Sequence, residues 1–184
     1  QTVNESFEVF GKDGSVQQSA EPISTIWSNF GGLCQVAEHS DPIVLFDRAA
    51  NRWVISQLAF FTNDNGEPAG QFDECIAVST TPDARGTYNR YEFFMNFGTL
   101  PDYPKLGVWP DGYYISYNMF NGNTFVGAMA CAFDRNRMLS GLSATQVCFQ
   151  LSSSFGGLLP SDLDGSIAPT AGSPNYFLNF GTNS

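Results

Sequence analysis

Two stretches of this chain repeat each other at a spacing of sixty residues. Ser40–Phe46, a polar turn and Trp53–Phe60 are echoed by Pro101–Trp109, the turn Pro110-Asp111-Gly112, and Tyr113–Phe120, so that Phe60 and Phe120 stand sixty residues apart. A fixed period constrains a fold more than any single motif, because each repeat is one supersecondary unit that buries its apolar face only against its neighbours. A third, shorter echo opens at Ser161-Asp162-Leu163-Asp164-Gly165, passes through Pro174-Asn175-Tyr176-Phe177 and reaches Phe180. Inside the repeat, Glu74–Ser79 and Tyr88–Met95 read as two further strands, and Phe125–Phe133 with Thr145–Leu151 repeat them. Each unit therefore holds four strands.

Four short strands per unit, repeated, describe the blades of a β-propeller arranged around a central channel. The expected fold is an all-β segment of a β-propeller built from four-stranded antiparallel blades. A β-sandwich is the alternative, but it gives no reason for the same positions to recur at a constant interval. On this reading residues 1–40 are the end of a preceding blade plus a long connection, 41–100 and 101–160 are blades, and 161–184 begin a third. Thr2–Phe10 and Ser15–Gln18, joined by the turn Lys12-Asp13-Gly14, read as the outer strands of the preceding blade. Both ends then carry incomplete blades, and the expected partners include the remaining blades of the same protein or further copies of the chain. Long loops are expected over Ala20–His39 and Thr62–Asp73.

Composition excludes several classes of function. Lys and Arg number 8 against 18 Asp and Glu, a formal net charge of −10, which repels the phosphate backbone of nucleic acids. No apolar run reaches the roughly 18 to 20 residues needed for a membrane span. Four cysteines, none in C-x-x-C spacing, read as two disulfides rather than as free thiols or a metal site, and they imply an oxidising compartment, extracellular or periplasmic. Cys131 and Cys148 fall on neighbouring strands of one hairpin and are expected to pair, which leaves Cys34 with Cys75.

Asp41-Pro42-Ile43-Val44-Leu45-Phe46-Asp47 with Asn51-Arg52-Trp53, Ala77–Asp83, and Asp102–Asp111 resemble large secreted bacterial proteins with propeller-like repeats. The resemblance covers nearly the whole chain. It implies continuation beyond both ends and no particular catalytic residue. The stretch Ser79–Tyr88 is similar to the Asp-box turn of sialidase-type propellers, although Gly86 follows Asp83 by three residues rather than two and Tyr88 replaces the usual Trp. Such a turn is structural, and it bears on fold rather than activity.

The one histidine, His39, is expected in a solvent-facing loop and gives no Ser-His-Asp arrangement. Arg48, Arg52, Arg85, Arg90, Arg135 and Arg137 fall near turns or outer strands, not in a converging cluster. Trp53, Trp109, Tyr113, Tyr114 and Tyr117 sit at strand positions expected to pack between blades. Trp27, in a long loop, is the expected exposed aromatic for sugar stacking. Asp41, Asp102 and the pair Asp162 and Asp164 open successive units, where they border the mouth of a channel. Such oxygens either satisfy their own turns or form a shared site for a polar ligand or calcium.

The reading that joins these features is a non-catalytic, secreted or cell-surface propeller module for glycan or protein binding or for extracellular assembly. The alternative is a propeller-type glycan hydrolase with only part of its active site in this segment.

Overall fold

A computed structural model describes residues 1–165 and 167–180. It is all-β, with four antiparallel sheets and two short helices. Strands β1 (Thr2–Val3), β2 (Ser6–Phe10) and β3 (Val16–Pro22) form the first sheet. The expected strand over Thr2–Phe10 is broken at Asn4-Glu5, where Glu5 turns to φ 72°.

The second sheet is the meander β4 (Glu38–Asp47), β5 (Arg52–Thr62), β6 (Pro68–Ser79) and β7 (Tyr88–Phe97). The third repeats it with β8 (Leu100–Val108), β9 (Tyr113–Asn121), β10 (Thr124–Phe133) and β11 (Gln146–Gln150). Alternation along these strands decides which residues meet. Val54, Ile76, Val78 and Phe93 of the second sheet pack on Tyr113, Ile115, Tyr117, Met119, Met129, Cys131 and Phe133 of the third. The opposite face of the second sheet buries Ile55, Ala59, Cys75 and Ala77 against Ile23, Trp27 and Cys34.

The long connection before β4 is not the open loop expected. It holds a 3-10 turn over Ile23–Trp27 and helix α1 (Gly32–Val36), both pressed on the second sheet. Much of Thr62–Asp73 likewise extends β5 and β6 past a tight turn, where Asn63 Oδ1 accepts from the backbone N–H groups of Asn65 and Glu67 at 2.9 and 3.0 Å. At the next turn Asp83 accepts from Arg85 through backbone and side chain, and the Tyr88 hydroxyl donates to the Ala84 carbonyl. The Asp-box-like stretch thus holds a hairpin together.

The disulfides are those expected. Cys131 and Cys148 stand directly opposite in the β10–β11 register with Cα atoms 4.1 Å apart. Cys34 and Cys75, with Cα atoms 5.8 Å apart, fasten α1 to β6. Closing loops of these lengths stabilises a fold by about 3 to 4 kcal/mol each.

The third unit departs from expectation. Only β12 (Leu159–Pro160) and β13 (Phe177–Leu178) pair there, and Ser166 and residues 181–184 of that unit lie outside the described residues. This segment lies across β8 and β9. A methyl group at Gly107 would come within 2.6 Å of the Ser161 carbonyl, so glycine is what permits the approach.

One buried ion pair ties the second and third sheets at their far end. Asp47 is the last residue of β4 and is fully buried; its Oδ2 accepts from Arg135 Nε at 2.7 Å and from the Tyr113 hydroxyl at 3.0 Å. Its Oδ1 accepts from Arg135 at 3.0 Å and from the Ala50 N–H at 3.0 Å. Burial works to raise the Asp47 carboxyl, but Arg135 outweighs it and holds the group below its ordinary value. Arg135 opens helix α2 (Arg135–Leu139), whose first turn is capped by Asp134 accepting from the Arg137 N–H. Breaking one side of such a pair leaves a buried charge unmatched. We expect Arg135→Met to cost about 3 to 5 kcal/mol in urea unfolding, with Asp47→Leu added in the same chain restoring much of the loss.

Candidate functional site

The first strand of each four-stranded sheet carries a bulge near its start. Ser40 pairs with Leu58 and Asp102 with Asn118, so the first strands are related by 62 residues while the second strands keep 60. The difference arises because the turn from Phe46 to Trp53 is two residues longer than that from Val108 to Tyr113. Asp41 therefore corresponds in space to Tyr103, and Asp102 to Ser40. Both bulge residues take left-handed conformations, φ 49° at Asp41 and 55° at Tyr103, and each precedes a proline.

The two bulges come together. Asp41 lines a groove of about 250 Å³ with Val3, Asn4, Tyr103 and Lys105, and its N–H donates to Asn4 Oδ1 at 3.2 Å. Burial and then the nearby Asp102 charge raise the Asp41 carboxyl, opposed by Lys105 and the Tyr103 N–H. Asp102 Oδ1 accepts from the Tyr103 N–H at 2.8 Å. The Lys105 ammonium lies 3.2 Å from the centre of the Tyr103 ring and donates to the Pro104 carbonyl at 2.9 Å. Its pKa is lowered by burial and supported by the two aspartates. Lys105 thus supplies from within the chain the positive charge that two neighbouring carboxylates require.

Asp162 and Asp164 do not join them. Asp162 Oδ1 accepts from the Val108 N–H at 2.7 Å, at the far end of β8. With a strand rise of about 3.3 Å per residue, Asp102 and Val108 are roughly 20 Å apart. The convergence of carboxylates from three units is corrected on this point, because among the described residues the third unit forms no long first strand. Among the described residues no group of three or more His, Cys, Asp or Glu side chains is placed to hold a metal ion.

Trp27 and His39 are also placed differently. Trp27 is fully buried and packs edge-on against Phe30, so it offers no sugar platform. His39 lies on β4, half-buried, and its Nε2 bonds the Cys34 carbonyl at 2.8 Å. Burial lowers its pKa, against the bond to the Cys34 carbonyl and the Glu38 charge. The loop between Ala20 and His39 is folded onto the second sheet through the Cys34–Cys75 bridge, which draws both residues inward. Of the aromatics expected between sheets, Tyr113 and Tyr117 are there, whereas Trp53, Trp109 and Tyr114 are half-buried. Trp53 Nε1 donates to the Pro82 carbonyl and Trp109 Nε1 to the Ser173 carbonyl.

Behind the Asp41 groove sits Glu74, a residue that sequence reasoning missed. It is fully buried on the β6 face shared by Ile76 and Val78, against Tyr117 and Ser56. The three groups meet loosely, since neither Glu74 oxygen nor either hydroxyl has a hydrogen bond of good geometry among the described residues. Burial raises the Glu74 carboxyl to about 8 against the pull of the Tyr117 and Ser56 hydroxyls, and the Asp41 charge adds to the rise. A charged residue in the apolar phase of an alternating strand was the available signal.

Compared with protein-family models, with curated proteins and with solved structures, the chain matches none of them. Two disulfides fit an oxidising compartment. No helix among the described residues is long and apolar enough to cross a membrane.

Glu74 makes stability depend on pH in a defined window. With a folded pKa of about 8 against an ordinary value of 4.5, the folded state keeps a proton that the unfolded state has released. Its favourable contribution is fully present below about pH 4.5 and is lost as pH rises to about 8, with a slope of up to about 1.4 kcal/mol per pH unit. We expect Glu74→Gln to remove this slope and to exceed the parent chain in stability at pH 8, as measured by urea unfolding across pH 5 to about 9.

Proposed function

We propose that the chain is a non-catalytic segment of an extracellular β-propeller whose role is assembly: its open sheet face packs on further sheets, of the same protein or of further copies. The supporting observation is the outer face of the third sheet. Its β8–β9 half is covered by the segment around β12 and β13, held by Ser116 Oγ donating to the Leu158 carbonyl, Trp109 Nε1 to the Ser173 carbonyl and the Gly157 N–H to Asn118 Oδ1. Its β10–β11 half is bare and apolar. Val147 and Phe149 are 56% and 66% exposed.

The packing of the second sheet supports this reading. Val54, Ile76 and Phe93 cover the inner face of the third sheet, in the same relation that a complete following sheet would have to Val147 and Phe149. An apolar patch of this kind on a sheet face marks an interaction surface. The repeat of two stacked four-stranded meanders supports the propeller reading, because successive blades also pack face to face. Secretion follows as part of the same reading, from the two disulfides and the resemblance to secreted repeat proteins.

Sedimentation equilibrium tests the assembly reading. We expect the weight-average mass to rise above that of one chain as concentration increases, and Val147→Lys combined with Phe149→Lys to return the chain to a monomer with its disulfides and far-ultraviolet spectrum unchanged. A parent chain that stays monomeric and binds no hydrophobic dye at the same concentrations contradicts it.

A further inference from the structure

The outer strand of the second sheet, β7, is the edge strand of that sheet among the described residues, and its Tyr88–Phe93 stretch lies at the floor of a groove. The groove holds about 650 Å³ and is floored by the consecutive residues Tyr88–Phe93. One wall is Phe30-Gly31-Gly32 beside α1, and the other is the loop Gly141-Leu142-Ser143-Ala144 after α2. The walls are fixed from below. The Cys34 N–H donates to Glu92 Oε2 at 2.6 Å, Arg90 donates to the carbonyls of Ile26 and Ser28, and Tyr91 and Asn89 both donate to the Met138 carbonyl.

Register assigns the backbone of the floor. The Thr80 N–H donates to the Thr87 carbonyl at 2.9 Å, next to the directly opposed pair Ser79 and Tyr88. Antiparallel alternation then turns the N–H and C=O groups of Asn89, Tyr91 and Phe93 toward β6, and those of Tyr88, Arg90, Glu92 and Phe94 away from it. The outward carbonyl of Phe94 is already occupied: the Gln146 side-chain amide donates to it at 2.5 Å. Among the described residues the outward backbone groups of Tyr88, Arg90 and Glu92 have no backbone partner. An amide, the chemical group of a peptide bond, thus sits at one end of the edge, and three residues beyond it offer the same bonding.

We infer that this groove binds an extended polypeptide segment of a partner protein, which adds to β7 as a fifth strand. Backbone bonding to Tyr88, Arg90 and Glu92 requires about five residues in extended form, roughly 17 Å. Such a segment carries small residues toward Gly31 and Gly32 and an apolar residue toward Leu142, which is 52% exposed. The net charge of −10 disfavours an acidic segment. A glycan does not fit the same chemistry: the Tyr88 and Tyr91 hydroxyls are engaged by carbonyls, and Arg90 lies 5.2 Å from the centre of the Phe30 ring. Pairing of two β7 edges would bring both sets of walls against each other, which disfavours a second copy as the occupant.

The test uses the full chain with disulfides intact and a displayed library of random twelve-residue peptides as the probe, followed by synthesis of the tightest binder. Binding is expected to slow amide hydrogen exchange at Arg90 and Glu92 at least about tenfold while leaving Tyr91 and Phe93 already protected. N-methylation of one alternate set of peptide residues is expected to weaken binding at least about tenfold, and of the other set little. Ser143→Trp, an exposed loop substitution in the wall, is expected to weaken binding similarly without changing the thermal midpoint, whereas the Val147→Lys and Phe149→Lys variant binds normally. A library without binders, binders that leave Arg90 and Glu92 exchanging freely, or a dimer that Ser143→Trp abolishes each overturns the inference. Loss of assembly through Val147 and Phe149 has no bearing on these readouts, so the two readings fail separately.

Discussion

The face-to-face packing of two four-stranded sheets is the constraint on which the remaining structure depends. A single sheet of this kind leaves one face in water, and its apolar residues need a partner layer. Tyr113, Tyr117, Ile115 and Met119 of the third sheet supply that layer for Val54, Ile76, Val78 and Phe93 of the second. Asp47 and Arg135 then fix the angle and the end of the stack, because a carboxylate without exposure tolerates little displacement from its guanidinium. Once the stack is set, α2 is held over β7, α1 is drawn onto the opposite face by Cys34–Cys75, and Val147 and Phe149 on the outer face of the third sheet stay exposed.

The parts of this arrangement legible in the sequence are those encoded by local alternation and by period. The second and third sheets follow from hydrophobic runs punctuated by turns, and the Cys131–Cys148 bridge from its place on adjacent strands. The misreadings came from long-range effects. Trp27 and His39 looked exposed because the loop carrying them has no periodic pattern, yet a bridge between residues 41 apart folds that loop onto a sheet. Asp41 and Asp102 looked equivalent because the sequence alignment hid a turn two residues longer, which shifts the first strands but not the second. Asp162 looked like a third member because its surroundings are similar in sequence, while among the described residues the strand needed to carry it inward does not form.

Polar chemistry in the candidate site is largely self-contained. Lys105 balances Asp41 and Asp102, Arg135 balances Asp47, and Arg85 pairs with Asp83 at 2.8 Å. Glu74 has no charged partner among the described residues, and burial between the sheets keeps it protonated. The surfaces left unfilled are of two other kinds, an apolar sheet face at Val147 and Phe149 and a backbone edge at Tyr88–Glu92. Both are suited to polypeptide, the first through burial of apolar area and the second through the ladder of backbone groups. The proposed assembly role draws on both.

Native-state hydrogen exchange in dilute denaturant tests most directly whether the two stacked sheets form one cooperative core. Inward-bonded amides of β5 and β6 in the second sheet, and of β9 and β10 in the third, are expected to share the slowest exchange and to converge on a single opening free energy as denaturant rises. Two separate opening free energies, one for each sheet, would show that the sheets fold independently and would contradict a core built from their packing.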